Sequence, residues 1–144
     1  MSAGQIQPLL QRLGGIYNDP ARISRDATTL LNSTQGSCLV PAISPFMEPK
    51  GLYHAKVLSF SGTVSMNYRG VKYHIPVEIF LPPSYPLRPP IIYVRPLSTM
   101  VLKENHRHVG KDGMIYMPYL HNWRNYSSNL VDMVLTMVSE GFNI

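Results

Sequence analysis

Apolar and polar side chains alternate strictly from Val71 to Leu81. Val71, Tyr73, Ile75, Val77, Ile79 and Leu81 fall on one face, and Lys72, His74, Pro76, Glu78 and Phe80 fall on the other. A period of two predicts a half-buried strand. Asn67-Tyr68-Arg69-Gly70 precedes it as a turn, with a glycine available for positive φ. A second alternation runs from about Ala55 to Met66. There Leu58, Phe60, Val64 and Met66 share one face, and Val57, Ser59, Ser61 and Thr63 share the other. Cys38 to Ile43 predicts an earlier strand interrupted by Pro41, with Ser44 to Tyr53 as a long hairpin connection. Ile91 to Val94 predicts a short buried strand. Proline cannot donate to a ladder, so Pro76 implies an edge or a locally irregular strand. Pro82 to Pro90 can form neither helix nor sheet interior. Seven of the 13 prolines lie between Pro76 and Pro96, which predicts a stiff connector into the last strand.

Helical spacing appears at the two ends. Ile6, Leu9, Leu10, Leu13 and Ile16 form a first apolar stripe that ends at Gly14-Gly15. Asp19-Pro20 reads as an N-cap with proline at the first helical position. Ile23, Ala27, Leu30 and Leu31 follow it, and Gln35-Gly36 closes that helix. Near the C-terminus, Ser127-Ser128-Asn129 offers caps, and Leu130, Val131, Val134, Leu135 and Val138 form the stripe. Between Leu97 and Trp123 neither period holds. A loop of that length in a compact domain is often functional. Helices, an antiparallel meander of about four strands, a long loop and a helix make an α+β fold with helices against one face of the sheet.

Composition narrows the function classes. The length predicts one domain over residues 1–144. No apolar run approaches the roughly 18 residues of a membrane span, and the N-terminus has no signal-peptide pattern. The single cysteine, Cys38, excludes an internal disulfide and fits a reducing compartment. The net charge of +5 comes from scattered basic residues, which predicts a solvated surface and no nucleic-acid partner. His106, His108 and His121 lie near one another, but without a helical His-Glu-x-x-His or a cysteine pair they give no metal-site pattern. The expectation is no metal and no cofactor.

The connector and the loop after it carry a resemblance. Tyr85-Pro86-Leu87-Arg88-Pro89-Pro90, a short strand and a His-containing loop resemble the ubiquitin-conjugating-enzyme (UBC) fold. Active members carry His-Pro-Asn before Gly-x-Ile-Cys-Leu, with a tryptophan after it. This chain has His108-Val109-Gly110, Gly113-Met114-Ile115-Tyr116-Met117 and Trp123. Tyr116 stands where the cysteine nucleophile would stand, and the supporting asparagine is replaced. A thioester needs a thiolate, and without the asparagine the oxyanion loses a hydrogen-bond donor. The chain therefore resembles the ubiquitin-conjugating-enzyme variant (UEV) domains, and the resemblance implies no catalysis.

Within that family, Tyr68-Arg69-Gly70, Tyr73-His74-Ile75-Pro76 and Ile115-Tyr116-Met117-Pro118-Tyr119-Leu120-His121-Asn122-Trp123 resemble the tumour-susceptibility and fungal vacuolar-sorting subunits of the endosomal sorting complex ESCRT-I. The resemblance implies a cytoplasmic module at endosomes, the N-terminal part of a longer protein. Such a module recruits ubiquitinated cargo and adaptor proteins into multivesicular bodies. Its partners would be ubiquitin, Pro-Ser/Thr-Ala-Pro-type late-domain peptides, and other ESCRT-I subunits bound through regions outside this chain.

For the peptide, the resemblance implies Tyr68 and Tyr73 as stacking rings, Met100 as a pocket residue, and Thr63 and Pro76 as groove residues. His74 and Ile75 bracket the groove, with His74 in place of the family's asparagine and Ser61 in place of its threonine. Leu97 replaces a threonine at the rim, and the sequence stops at Ile144, just before the place of the family's Pro-Pro-Val-Phe-Ser wall, so either it is cut short of that wall or this member builds its groove differently. For ubiquitin, it implies the tongue residues Phe46, Met47 and Glu48 together with Tyr93. Within the same fold, the alternative is an inactive cofactor of an active conjugating enzyme in polyubiquitin chain formation.

Overall fold

The computed structural model describes residues 2–47, 54–68, 70–95 and 113–139. A 3-10 helix, Ser2–Gln5, leads into α1, Ile6–Leu13, and α2, Pro20–Asn32. Four strands follow: β1 Leu39–Met47, β2 His54–Tyr68, β3 Val71–Phe80 and β4 Ile91–Val94. They form one antiparallel sheet in the order β1-β2-β3-β4. A one-turn helix α3, Pro118–His121, and α4, Leu130–Ser139, complete the described chain.

Local chemistry sets these boundaries. The Asp19 side chain accepts the Arg22 N–H at 3.1 Å, and Pro20 occupies the first turn of α2, where its missing N–H costs nothing. Asn129 caps α4 by accepting the Asp132 N–H at 2.8 Å. Tyr68 pairs with Val71 and closes the β2–β3 hairpin. Gly70 has φ +79°, which a side chain would resist.

The strands run longer than expected: β2 takes in Asn67 and Tyr68, expected in the turn, and the larger difference is in β1. β1 does not stop at Ile43 but continues through Ser44, Pro45, Phe46 and Met47, paired with Val57 to His54. The reason is that β1 is an edge. Leu39 sends its N–H away from β2, to Gly36 O at 3.1 Å. Pro41 and Pro45 have the same parity, so their missing donors also face outward and leave the β2 ladder intact. Pro76 follows the same logic. Its carbonyl accepts the Arg95 N–H at 2.8 Å, on the side away from β2, just where β4 has ended. Its missing N–H therefore falls beyond the ladder.

The inner face of the sheet packs under the helices. Leu58, Phe60, Val64, Met66, Ile75, Val77, Ile79 and Leu81 are buried there with Ile6, Ile23, Ala27 and Leu30. The α4 stripe is shifted from the expected one. Leu130, Met133, Val134 and Met137 are buried, and Leu135 is 40 % exposed. The spacing i, i+3, i+4, i+7 is the true helical face, and two flexible methionines complete it. The outer face, expected to be polar, carries a smaller cluster of Phe46, Val57, Phe80 and Ile91.

Two buried polar anchors hold the connector after β3. Tyr17, 5 % exposed, accepts the Leu58 N–H and donates to Leu81 O, both at 2.8 Å. Its phenol closes the β2–β3 ladder one step past its last pair, Ser59 with Phe80. Burial pushes its pKa up, against the lowering effect of the Leu58 N–H. The second anchor is Tyr85, whose hydroxyl donates to Asp26 Oδ2 at 2.5 Å. Arg22 Nε donates to the same oxygen at 2.6 Å. The Arg22 guanidinium also donates to Ser128 O at 2.6 Å and to Asn125 O. Trp123 Nε1 donates to Pro86 O at 2.8 Å. The connector is thus tied to α2 and to the chain before α4, and it delivers β4 at a fixed position.

Candidate binding surfaces

The register separates the expected peptide residues onto two faces. Directly paired residues share a face. Thr63 with Pro76, Ser65 with His74, and Asn67 with Lys72 lie on the outer face. Val64 with Ile75 and Met66 with Tyr73 lie on the inner face, at the far end of the main core. Tyr73 is half-buried and packs against the main core. Ser61 is exposed on the outer face, opposite Glu78. Ile75 does not belong to a surface. It is 2 % exposed, and its main chain faces β2, so it offers a ligand neither side chain nor backbone. Leu97 and Met100 lie outside the described residues, as does the side chain of Tyr68.

The two faces meet at one edge of β3. Because the Pro76 carbonyl points away from β2, those of Lys72 and His74 point the same way by alternation. β4 pairs only with Val77 to Phe80. Among the described residues no strand covers Val71 to Ile75 on that side. Among the described residues that edge is left to an extended segment, with an aromatic inner flank at Tyr73 and an outer flank of Thr63 and His74 beside Pro76. His74 Nδ1 lies 3.3 Å from Ser65 Oγ, which holds the imidazole over the strand pair.

The second expected surface is also on the outer face, at the opposite end of the sheet. Phe46 and Tyr93 are joined through Phe80: the Phe46–Phe80 centroids are 5.6 Å apart, and Tyr93 meets Phe80 edge-on at 6.0 Å. Phe46 is 5 % exposed. It packs in the outer-face cluster against Phe80, a correction to its expected role as a contact. The Met47 side chain and Glu48 lie outside the described residues. Two residues that the sequence did not single out complete the Tyr93 end. The Arg95 guanidinium carbon lies 4.4 Å from the Tyr93 ring centroid, and Arg95 donates to Glu78 Oε1 at 3.0 and 3.1 Å. The pairing of Glu78 with Tyr93 across β3 and β4 was the available signal.

The region expected to match the conjugating site is a cleft of about 630 Å³ between Arg88–Ile91 and Met114–Asn122. The periodicity fails here because the pairing is minimal. Met114 bridges Tyr93, Ile115 N–H donates to Ile92 O, and Val94 N–H donates to Gly113 O, both at 2.8 Å. Gly113 has φ +89°, and a Cβ on it would meet Val94 O at 2.6 Å. Tyr116 is 55 % exposed at the cleft. Cys38, exposed, precedes the β1 edge, while Met114 lies beside β4 at the other edge. Three strand spacings of about 4.8 Å separate those edges, so the thiol does not reach this cleft. His121 is exposed, while His106 and His108 lie outside the described residues. Among the described residues no three His, Cys, Asp or Glu side chains form a metal-binding group. No helix among them is long and apolar enough to cross a membrane.

A family model described as "UEV domain" matches residues 9–142. Protein ELC of Arabidopsis thaliana is 45 % identical over 96 residues, covering 67 % of this chain and 24 % of that protein. The ESCRT-I complex subunit tsg101 of Dictyostelium discoideum is 31 % identical over 114 residues, covering 78 % of this chain and 22 % of that protein. The chain thus spans about a quarter of the length of these curated relatives. The yeast vps23 UEV domain, solved with a vps27 PSDP peptide, superposes with a TM-score of 0.81 at 26 % identity, over 96 % of this chain and 91 % of that one. A Vps23 UEV solved in complex with ubiquitin superposes with a TM-score of 0.76 at 26 % identity, over 96 % and 93 % of the two chains.

Proposed function

The chain belongs to the UEV domain family, and from this we propose that it is a non-catalytic module that binds proline-containing peptides and ubiquitin. The whole protein then acts as an ESCRT-I subunit, cytoplasmic and peripheral to endosomes, and residues 1–144 are its single UEV domain. It recruits ubiquitinated cargo and adaptor proteins for sorting into multivesicular bodies. The related UEV domains solved with a PSDP peptide and with ubiquitin support both binding activities.

The observation that carries the peptide reading is the open β3 edge between an aromatic and a polar flank. A proline-containing segment is already extended, so it loses little conformational entropy on docking. Its backbone pairs with Lys72 and His74, and a proline lies on Tyr73, with Tyr68, Met100 and Leu97 completing the pocket. Tyr73→Ala should cost about 1–3 kcal/mol of binding if the ring is an anchor. Titration with a Pro-Thr-Ala-Pro peptide, followed by amide shifts, tests this. Unchanged peptide affinity in the folded variant would discard the groove.

The ubiquitin surface is the tongue with Tyr93, Arg95 and Glu78. A contact below about 1,200 Å² implies affinity of micromolar order or weaker. Tyr93→Ala should weaken ubiquitin and leave the peptide affinity intact. Equal loss of both ligands would mean that the two sites are one.

Tyr116 replaces the nucleophile, and Cys38 is far from the cleft. With activating enzyme, ATP and ubiquitin, no reducible adduct should form on this chain. An adduct on Cys38 that discharges to lysine would overturn the non-catalytic reading.

A further inference from the structure

We infer that Arg95 is a contact residue for ubiquitin, and that Tyr93 and Glu78 act through it. They hold its guanidinium as a fixed fork for an uncharged oxygen, a main-chain carbonyl of the partner. The inference rests on the ubiquitin reading above and names the group that meets the partner at this end of the outer face. Arg95 follows β4, two residues after Tyr93, and its own N–H is tied to Pro76 O at 2.8 Å. The root of the side chain is therefore fixed. The guanidinium carbon stands 4.4 Å from the Tyr93 ring centroid and covers that face of the ring. Tyr93 in turn meets Phe80 edge-on at 6.0 Å. A partner that approaches the covered face touches the guanidinium first, and the ring is its platform.

Glu78 decides which edge of the fork is left over. Arg95 Nε and Nη2 both donate to Glu78 Oε1, at 3.1 and 3.0 Å. Among the described residues Nη1 makes no hydrogen bond, and the Arg95 side chain is 48 % exposed. A guanidinium carries its N–H donors in one rigid plane. Nη1 and the second N–H of Nη2 therefore remain for a ligand. Held on one face and along one edge, the side chain has little rotamer freedom left to lose on binding. Charge selects the acceptor. Glu78 already balances the guanidinium, so an incoming carboxylate would be repelled by the one as it is drawn to the other. A carbonyl oxygen takes the same N–H groups without that repulsion. A lysine here would keep the charge but offer neither the plane nor the second edge.

Ubiquitin titrations followed by amide shifts test this in Arg95→Ala, Arg95→Lys and Glu78→Gln. Each is run at about 0.05 and about 0.5 M salt, where the screening lengths are about 14 and about 4 Å. Arg95→Ala should weaken binding about tenfold, the scale of one hydrogen bond to a charged group, and by the same factor at both salts. Arg95→Lys should lose nearly as much despite its charge. Glu78→Gln should weaken binding about threefold and add nothing to Arg95→Ala, because Glu78 acts through Arg95. Unchanged affinity in Arg95→Ala, or a Glu78→Gln effect that persists without Arg95, would overturn the inference. So would rescue by lysine, a loss that disappears in high salt, or tighter binding by Glu78→Gln, each the mark of a bare charge acting on a carboxylate. All of these leave ubiquitin binding itself in place. Absence of ubiquitin shifts in the unaltered protein would instead end the ubiquitin reading, and this inference with it.

Discussion

Asp26→Ala is expected to remove about 3–5 kcal/mol of folding stability, the cost of leaving one member of a buried ion pair uncompensated. Asp26 is 5 % exposed, and its Oδ2 accepts from both Arg22 and Tyr85. Burial acts to lower the Arg22 pKa, but the hydrogen bond and charge of Asp26 outweigh it and hold it above the ordinary value. Burial first, and then the Asp26 carboxylate, push the Tyr85 phenol up. Without the carboxylate, the guanidinium keeps its carbonyl partners but not its counter-charge, and the Tyr85 hydroxyl has no acceptor in this network. Asp26→Asn keeps the shape and an acceptor oxygen and should cost less. Denaturant unfolding measures both. A loss below about 1 kcal/mol for the alanine variant, typical of exposed pairs, would show that the network is not the anchor of the connector.

Tyr17→Phe is expected to cost about 2–4 kcal/mol, because it strands the Leu58 N–H and the Leu81 carbonyl, each at about 1–3 kcal/mol when buried and unsatisfied. Its pH dependence has a definite sign. The folded-state pKa of Tyr17 is raised, so its contribution is complete below the unfolded-state value of about 10. It is lost as pH rises from there toward the folded-state value. In that window each such phenol removes about 1.4 kcal/mol per pH unit. Tyr85 behaves alike, so the unaltered protein should lose stability steeply in alkali. Tyr17→Phe lacks one of the two titrations, and its deficit should narrow above pH of about 10. A constant gap between the two proteins across that range would contradict the buried-phenol account.

Much of the sheet was legible because its signals are local. The alternation from Val71 to Leu81, the Gly70 turn and the Asp19-Pro20 cap each determine structure within a few residues. Pro45 misled because a proline reads as a break until the strand is known to be an edge. Asp26 carried no signal either. In sequence it looks like one polar position on a helix, and its partner Tyr85 lies 59 residues away. Phe80 fell on the expected polar face, and only the pairing of the long β1 brings Phe46 to cover it. The candidate surfaces show the same limit. The alternation already separated Tyr73 from His74 and Pro76, but the edge where their faces meet depends on β4 stopping at Val94. Ile75 entered the expected groove by adjacency alone, and the buried face removes it.

Pro41 and Pro45 give the sheet a polarity of growth. A strand from another molecule that approached the β1 edge would find two of the outward-facing positions without donors, so continuous pairing there is blocked. The Val71–Ile75 edge has no such block among the described residues. A sheet that can be extended on one side only can join a second copy once and then stops, whereas open fibres need two complementary edges. Self-association at high concentration should therefore end at dimers, and a peptide seated on the β3 edge should compete with it.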